Sequence, residues 1–211
     1  MALKLHGSPY STATKRVAIV LLEKHVPFEF IDIDLVKGEH KAPDFVAKQP
    51  FGLVPFIDDE GFILYESRAI GRYIATKYAS QGLALIPTSD LKTAALFDQA
   101  VFSEVANFEG PAQALCYEKW FKSMIGQEAD ETVVAENKAT LEGTLDVYEI
   151  VLSKHAYIAG NELTLADLFH LPCGARVKGI FPELFSSRPN VAKWLEALER
   201  RPSWQAVKDG I

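Results

Sequence analysis

The segment with the most side chains capable of chemistry is GSPYSTATKRV, residues 7–17. A hydroxyl at the start of the helix predicted there can cap unpaired backbone N–H groups. The same place carries partial positive charge and can hold an anion, including a thiolate. Residues 8–11, Ser-Pro-Tyr-Ser, also match the redox motif Cys-Pro-Tyr-Cys with both sulfurs replaced by oxygen. In that interpretation the segment is an inactive redox site. The hydroxyl-bearing residues are Ser8, Tyr10, Ser11, Thr12 and Thr14.

Two later segments have features of a peptide-binding site. In QPFGLVP, residues 49–55, a proline enters a predicted hairpin strand, where proline pairs poorly. A cis Val54–Pro55 bond would turn the backbone of Val54 outward to pair with an extended peptide, whereas the alternative is a proline-broken edge strand. In YESRAI, residues 65–70, Ser67 can cap the third helix. It could also hold a carboxylate at the start of that helix, beside a Glu66 that binds an ammonium group.

These three segments together describe one ligand. It has an amino-acid head group with one carboxylate and one ammonium, a peptide middle, and a thiol that lies near Ser11. Glutathione has this chemistry, so the residues indicate a glutathione site in the first half of the chain.

The elements that must position these residues alternate between strands and helices in the first half. This order predicts one mixed sheet with helices packed on it. Apolar residues three or four apart indicate helices, β-branched and aromatic residues indicate strands, and the run Asp58–Gly61 indicates a hairpin turn. The predicted strands are 2–6, 27–33, 53–57 and 62–64, and the predicted helices are 12–25 and 67–78, with a short irregular helix within 38–48.

The second half shows helical spacing only. Residues 83–89 are predicted to be a linker, with Thr88 or Ser89 capping the next helix. Thr164 and Asp167 have the spacing of a capping box, which we interpret as a folding device. The domain boundaries predicted are 1–82, 83–89 and 90–211, and the clearest helices of the last domain are 134–152, the one that begins at Thr164, and 191–200.

The composition narrows the functional class. The chain has 211 residues, 48% of them hydrophobic, and a formal net charge of −6, which disfavours a nucleic-acid-binding surface. No apolar run approaches the roughly 18 residues of a membrane span, and the N-terminus lacks a secretory signal. Two cysteines, Cys116 and Cys173, disfavour a disulfide framework or a zinc cluster. We therefore expect a soluble, cytoplasmic protein with no metal.

The motifs resemble those of the cytosolic glutathione transferases, and most closely the phi class of plants and fungi. GSPYSTATKRV is similar to the serine-containing first loop of that class. GEHKAPDF, QPFGLVP and YESRAI are similar to its three glutathione-contact segments in order and spacing, and TLADL to its capping box. The resemblance extends along essentially the whole chain. It implies an α/β thioredoxin-like N-terminal domain and an all-α C-terminal domain.

The resemblance also implies roles for individual residues. Ser11 should donate a hydrogen bond to the glutathione sulfur and favour its thiolate. The phi class commonly has glutamine where this chain has Leu53, so we expect a weaker glutathione affinity. His40 and Lys41 should hold the glycine carboxylate of glutathione. Val54, ahead of a cis Pro55, should pair with the cysteinyl backbone. Glu66 and Ser67 should hold the γ-glutamyl end.

A pocket for hydrophobic electrophiles is expected between the domains, because ligand sites often form there. Each of the candidate side chains could instead be simple core, which aromatic residues at helical spacing usually are, and Thr12 is also the reserve candidate for the role of Ser11. The resemblance further implies a homodimer in which the ring of Phe51 enters an apolar pocket of the partner. The pocket candidates are Tyr10, Thr12, Leu35, Phe108, Tyr117 and Phe121.

The leading functional hypothesis is an enzyme that conjugates glutathione to hydrophobic electrophiles, with peroxide reduction as a possible side activity. The second is a binding module: a ligand carrier, or a domain like that of the translation elongation factor gamma subunit. The hydroxyl at Ser11 and the end of the chain at Ile211 favour the enzyme. A cysteine-type thiol transferase is disfavoured, because the first half contains no cysteine.

Overall fold

The computed structural model describes residues 3–88 and 90–211. Ala2, predicted to begin the first strand, and Ser89, predicted as a possible helix cap, lie outside the described residues. The described chain forms two units, of which the first comprises the residues up to Ile86 together with Arg201–Ile211. The second unit is Pro87–Arg200. Residues 201–211 thus belong to the first unit, which differs from the predicted helical domain of 90–211.

A four-stranded mixed sheet forms the centre of the first unit, with strand order β2-β1-β3-β4. β1 pairs in parallel with β2 and antiparallel with β3, and β3 pairs antiparallel with β4. A helix joins the parallel pair, because parallel strands need a long crossover connection. The strands are β1 (Leu3–Gly7), β2 (Phe28–Asp32), β3 (Phe56–Asp59) and β4 (Phe62–Tyr65).

The β3–β4 hairpin turns at Glu60 and Gly61, whose φ angles of 56° and 93° are the positive values that a tight two-residue turn requires. Asp58 Oδ1 accepts a hydrogen bond from the N–H of Gly61 at 2.8 Å. β3 begins at Phe56 rather than at the predicted residue 53. Pro55 has no N–H to offer to the sheet, so regular pairing starts after it.

Three helices and one short turn complete the part of the first unit before Ile86. The predicted irregular helix within 38–48 is a 3-10 turn followed by α2. α1 ends two residues before the predicted His25, in a Schellman motif. There the N–H groups of His25 and Val26 donate to the carbonyls of Leu22 and Leu21, at 3.0 and 2.9 Å. The elements are α1 (Thr12–Glu23), the 3-10 turn (Glu39–Lys41), α2 (Pro43–Val46) and α3 (Ser67–Lys77).

The second unit is helical in all its regular elements, apart from an isolated bridge between Tyr157 and Gly160. Two π-helical segments, Glu104–Glu109 and Tyr117–Phe121, connect its first three helices. Asp90 caps the first of these three helices, because its carboxylate accepts hydrogen bonds from two backbone N–H groups. The predicted cap at Thr88 is therefore wrong. The helices are α4 (Leu91–Ser103), α5 (Gly110–Cys116), α6 (Lys122–Met124), α7 (Glu131–Leu152), α8 (Leu165–Ile180), α9 (Glu183–Ser186) and α10 (Pro189–Glu199).

The structure contains the capping box that the sequence predicts at the start of α8. Asp167 accepts hydrogen bonds from the backbone N–H and the hydroxyl of Thr164, at 2.9 and 3.1 Å. Its other oxygen accepts from Ile158 N–H and from Trp194 Nε1, both at 3.0 Å. Burial raises the pKa of Asp167, and these donors oppose that effect. The carboxylate therefore ties α8, α10 and the preceding loop together.

The C-terminal segment packs on α1 through α11 (Pro202–Gln205). Arg201 Nε and Nη2 donate to the two carboxylate oxygens of Glu23 at 2.6 and 2.7 Å, and the Ser203 hydroxyl also donates to Glu23. Lys15 Nζ donates to the carbonyl oxygen of Lys208 at 2.6 Å. Burial would raise the pKa of Glu23, but the hydrogen bonds from Arg201 and Ser203 outweigh it and lower that pKa.

Replacing Arg201 by alanine is expected to lower the free energy of unfolding by about 3 kcal/mol, because Glu23 is then left buried without its ion-pair partner. A lowered carboxyl pKa stabilises the fold above the ordinary glutamate pKa, and this contribution is lost as the pH falls through the folded-state pKa. The difference in unfolding free energy between wild type and variant should therefore become smaller in acid. Chemical denaturation at several pH values measures both effects.

The matched control is Arg200→Ala, because the Arg200 side chain is 81% exposed and pairs with Glu196 at the surface, at 3.5 Å. It should lose much less stability than Arg201→Ala. Equal losses in the two variants would contradict the assigned role of the Glu23–Arg201 pair.

Candidate active site

Strand register brings the candidate segments to one end of the sheet. His6 of β1 lies opposite Phe56 of β3, and Phe56 lies opposite Tyr65 of β4. The residues that follow β1, precede β3 and follow β4 therefore meet at the same end. They are the loop that carries Ser11, the Val54–Pro55 pair, and the start of α3 at Ser67.

Ser11 is the N-cap of α1. Its Oγ accepts a hydrogen bond from the N–H of Thr14 at 3.3 Å, and its own N–H donates to the carbonyl of Ser8 at 3.1 Å. Because Oγ is the acceptor in the cap, the hydroxyl hydrogen is left to point toward a ligand. Gly7 permits the close approach of β1 to α1, since a Cβ there would lie 2.4 Å from Thr14 Cγ2.

The other hydroxyls of the first loop differ in exposure. Tyr10 is 51% exposed, so its ring faces solvent. Thr12 and Thr14 are buried, and the side chain that caps the helix is that of Ser11. Thr12 is therefore a weaker candidate than Ser11 for contact with a ligand.

The Val54–Pro55 peptide bond is cis, as the resemblance implies. In the described part of the chain, neither the N–H nor the C=O of Val54 has a hydrogen-bond partner. The N–H of Leu53 donates to Oε1 of the buried Gln49 at 3.1 Å, whereas the Leu53 side chain is exposed. The backbone of Val54 is thus available to pair with an extended peptide.

The side chain of Lys41 binds the loop that precedes Val54. Lys41 Nζ donates to the carbonyl of Gly52 at 2.7 Å and approaches that of Phe51 at 3.4 Å. Burial, followed by the charge of Lys41, lowers the pKa of His40 and so favours its neutral form. Nδ1 of His40 is buried without a hydrogen-bond partner among the described residues.

Glu66 and Ser67 form the start of α3. Glu66 is the N-cap residue, with a φ of 69°, and its side chain makes no capping bond. Ser67 is the first helical residue, so the alternative in which Ser67 caps the third helix is wrong. Its Oγ instead accepts a hydrogen bond from Nη1 of Arg16 at 2.9 Å, and both residues are buried.

Sequence reasoning missed Arg16 and Gln49 at this end of the sheet. Arg16 has no exposed surface although it is a cation in α1. The signal that could have revealed it is a charged residue beside the apolar run that starts at Val17. Gln49 lay within a quoted motif, but nothing in the sequence indicated that its side chain accepts from Leu53.

The proposed electrophile contacts are distributed over both units. In the first unit, Leu35 is half-buried in the turn after β2. In the second, Tyr117 and Phe121 stack with ring centroids 5.5 Å apart on the second π-helical segment. Phe108 is only 1% exposed and packs against Tyr148 and His170. It lies in the core of its unit, so its prediction as a pocket residue is corrected.

Comparison with known proteins decides the family. Residues 5–82 match the glutathione S-transferase N-terminal domain, and residues 105–202 match the glutathione S-transferase C-terminal domain. Glutathione S-transferase PM239X14 of Arabidopsis thaliana is 44% identical over 93% of this chain and 91% of its own. The chain belongs to the glutathione S-transferase family.

Other members of the glutathione S-transferase family show the same similarity. Glutathione S-transferase PARB of Nicotiana tabacum is 42% identical over 97% of this chain and 96% of its own. The crystal structure of glutathione transferase F7 from Populus trichocarpa has a TM-score of 0.95 at 36% identity, covering 99% of this chain and 98% of that one. These relatives place the chain in the phi class of the family, as the motifs predict.

One related structure contains a glutathione derivative. Glutathione S-transferase I bound with lactoylglutathione has a TM-score of 0.92 at 32% identity, with 99% of both chains covered. The described residues of this glutathione S-transferase contain no group of His, Cys, Asp or Glu that could hold a metal ion. None of its described helices is long and apolar enough to cross a membrane.

Gly52→Ala should weaken glutathione binding and lower stability. Gly52 has a φ of 60°, and a Cβ there would lie 3.0 Å from the carbonyl oxygen of His40 and from Nζ of Lys41. The left-handed conformation alone costs an alanine about 1–2 kcal/mol, and the crowding adds to that cost. Calorimetric titration with glutathione and chemical denaturation measure the two effects.

Gly61→Ala is the matched control, since Gly61 also has a positive φ, of 93°, but nothing lies within 4 Å of a Cβ there. This variant should lose stability through backbone strain and keep its glutathione affinity. If both variants lose the same stability and neither loses affinity, the packing of Gly52 on Lys41 does not hold the site.

Proposed function

We propose that this glutathione S-transferase transfers the glutathione thiolate to hydrophobic electrophiles and that Ser11 stabilises the thiolate. The observation that carries the proposal is the position of Ser11 as the N-cap of α1. The bond from Thr14 N–H engages the hydroxyl oxygen as an acceptor, which leaves its hydrogen for the sulfur. The N-terminus of the helix adds partial positive charge.

Both effects favour the thiolate over the thiol, because they stabilise only the charged form. A fall in the thiol pKa from about 8.5 to about 6.5 would raise the ionised fraction at pH 7 from roughly 3% to roughly three quarters. No protein side chain needs to be deprotonated or to form a covalent bond. The thiolate sulfur attacks the electrophilic atom, and the leaving group or the polarised bond takes the displaced electron pair.

The proposed tripeptide contacts follow from the donors and acceptors at the end of the sheet. The backbone of Val54 would pair with the cysteinyl residue, and the start of α3 at Ser67, beside Glu66, would hold the γ-glutamyl head group. Lys41 is the cation proposed to face the glycine carboxylate, with His40 beside it. Leu53 offers only its backbone, because its side chain has no polar group.

The proposed contacts for the electrophile are apolar or aromatic. In the first unit they are Tyr10, whose ring is exposed, and the half-buried Leu35, with Thr12 as a minor candidate. In the second unit they are the stacked rings of Tyr117 and Phe121. Aromatic rings suit planar, hydrophobic electrophiles through stacking and burial of apolar area.

Loss of the Ser11 hydroxyl should raise the pKa of bound glutathione and lower the conjugation rate by about 100-fold or more. Ser11→Ala also removes the helix cap, at about 1 kcal/mol, whereas glycine at an N-cap costs only a few tenths. Ser11→Gly therefore separates the two roles. The measurement is the thiolate absorbance of bound glutathione against pH, together with the conjugation rate of an aryl halide.

Both variants should show the same raised thiol pKa, although only Ser11→Ala should lose appreciable stability. Thiol titrations identical to that of the wild type would refute the proposed role of Ser11 and transfer it to Thr12 or Tyr10. Ser11→Thr, which keeps a hydroxyl, should recover most of the rate.

We further propose a homodimer. Phe51 is 64% exposed and makes one edge-on ring contact, with Tyr65 at 6.0 Å. The exposed apolar side chains of α4, Leu91, Leu96 and Phe102, also suit an interface. A cytoplasmic location is proposed as well, since Cys116 and Cys173 are buried and form no disulfide.

Phe51→Ala should weaken dimerisation by a few kcal/mol, as truncation of a buried interface aromatic does. Phe62→Ala is the control, because Phe62 is also an exposed phenylalanine but lies at the hairpin end of the sheet. Sedimentation velocity over a concentration series measures the dimer dissociation constant. A wild-type monomer at micromolar concentration, or equal effects of the two substitutions, would contradict the proposed anchor.

A further inference from the structure

A buried cation lies beneath the serine that is proposed to bind the γ-glutamyl head group. Arg16 of α1 has no solvent-exposed surface, and its Nη1 lies 2.9 Å from Oγ of Ser67. Ser67 is itself 6% exposed and is the first residue of α3. The two helices pack against each other, so this bond joins them within the first unit.

The chemistry of the two groups fixes the direction of the hydrogen bond. A guanidinium group has only donors, so Ser67 Oγ must be the acceptor. A serine hydroxyl that accepts in this way keeps its own hydrogen for another acceptor. At the first position of α3, that hydrogen adds to the backbone N–H groups, which have no intrahelical partners.

The positive charge of Arg16 also favours the binding of an acceptor by the Ser67 hydroxyl. A hydroxyl that accepts from a cation is polarised and becomes a better donor. Buried positive charge beneath the start of α3 also adds to the partial positive charge of the helix end. Both effects favour a carboxylate at this place over a neutral group.

We propose that Arg16 is a positioning residue that makes the site selective for γ-glutamyl peptides with a free α-carboxylate. It holds Ser67 Oγ as an acceptor and thereby directs the hydroxyl hydrogen to that carboxylate. The inference rests on the proposed function, in which Ser67 holds the γ-glutamyl end. Beyond that function, it assigns the site a specificity for the α-carboxylate and identifies Arg16 as the residue that acts through Ser67.

The test compares two ligands by calorimetry: S-methylglutathione and S-methyl 4-aminobutyryl-cysteinyl-glycine, which lacks only the α-carboxylate. The S-methyl group removes the thiol, so Ser11 does not affect the comparison. The selectivity is the dissociation constant of the second ligand divided by that of the first. Arg16→Met, which keeps an unbranched side chain but no donor, should reduce the selectivity by about tenfold, the size of one hydrogen bond to a charged group.

Two further variants separate positioning from packing. Arg16→Lys keeps the charge and a donor and should recover most of the selectivity. Lys24→Met removes another fully buried cation of the same helical segment, whose Nζ donates to the carbonyl of Leu83 at 2.7 Å. Lys24 lies about 12 Å further along the helix axis, so its loss should leave the selectivity unchanged.

Each outcome decides a different point. A wild type without selectivity would show that the γ-glutamyl subsite of the proposed function is wrong. A selective wild type with an equally selective Arg16→Met would overturn the role of Arg16 alone, as would equal weakening of both ligands. If Arg16→Met does not fold, the double-mutant cycle of Arg16→Gln, which removes the charge, with Ser67→Ala decides, and additive effects on selectivity would overturn the proposal.

Discussion

The burial of α1 is the constraint on which the rest of the first unit depends. The helix is buried around most of its circumference, and its buried surface includes charged side chains that must find partners away from water. Separate segments supply those partners: the start of α3, the loop after Gly82, and the C-terminal residues from Arg201 onward. The charged residues at the end of α1 and just beyond it, Glu23 and Lys24, are held by Arg201 and by the carbonyl of Leu83.

The burial of α1 also fixes the position of the Ser11 hydroxyl. Because α1 cannot shift without breaking these contacts, its N-terminus is fixed relative to the sheet. The crossover that α1 makes between the two parallel strands starts where β1 ends, beside Val54 and the start of α3. A helix fixed for reasons of stability thus presents the Ser11 hydroxyl at the place where backbone and side-chain donors for a peptide converge.

Much of this arrangement could be predicted from the sequence, because local chemistry determines it. The hairpin turn and the Thr164–Asp167 box depend on residues close in sequence. The residues around Pro55 left a proline-broken edge strand as an alternative, and the cis bond followed from the resemblance. The missed features are contacts between distant segments. The acceptor for Arg16, the return of residues 201–211 to the first unit, and the burial of Phe108 depend on which helices pack together. Spacing along one helix cannot determine this.

A crystal structure of this protein with glutathione tests most directly whether Ser11 stabilises the thiolate. We expect the sulfur to lie within hydrogen-bonding distance of Ser11 Oγ, at the N-terminus of α1, while the cysteinyl backbone pairs with Val54. A sulfur directed away from Ser11, with Thr12 or Tyr10 as its nearest hydroxyl, would contradict the claim that the cap of α1 stabilises the thiolate.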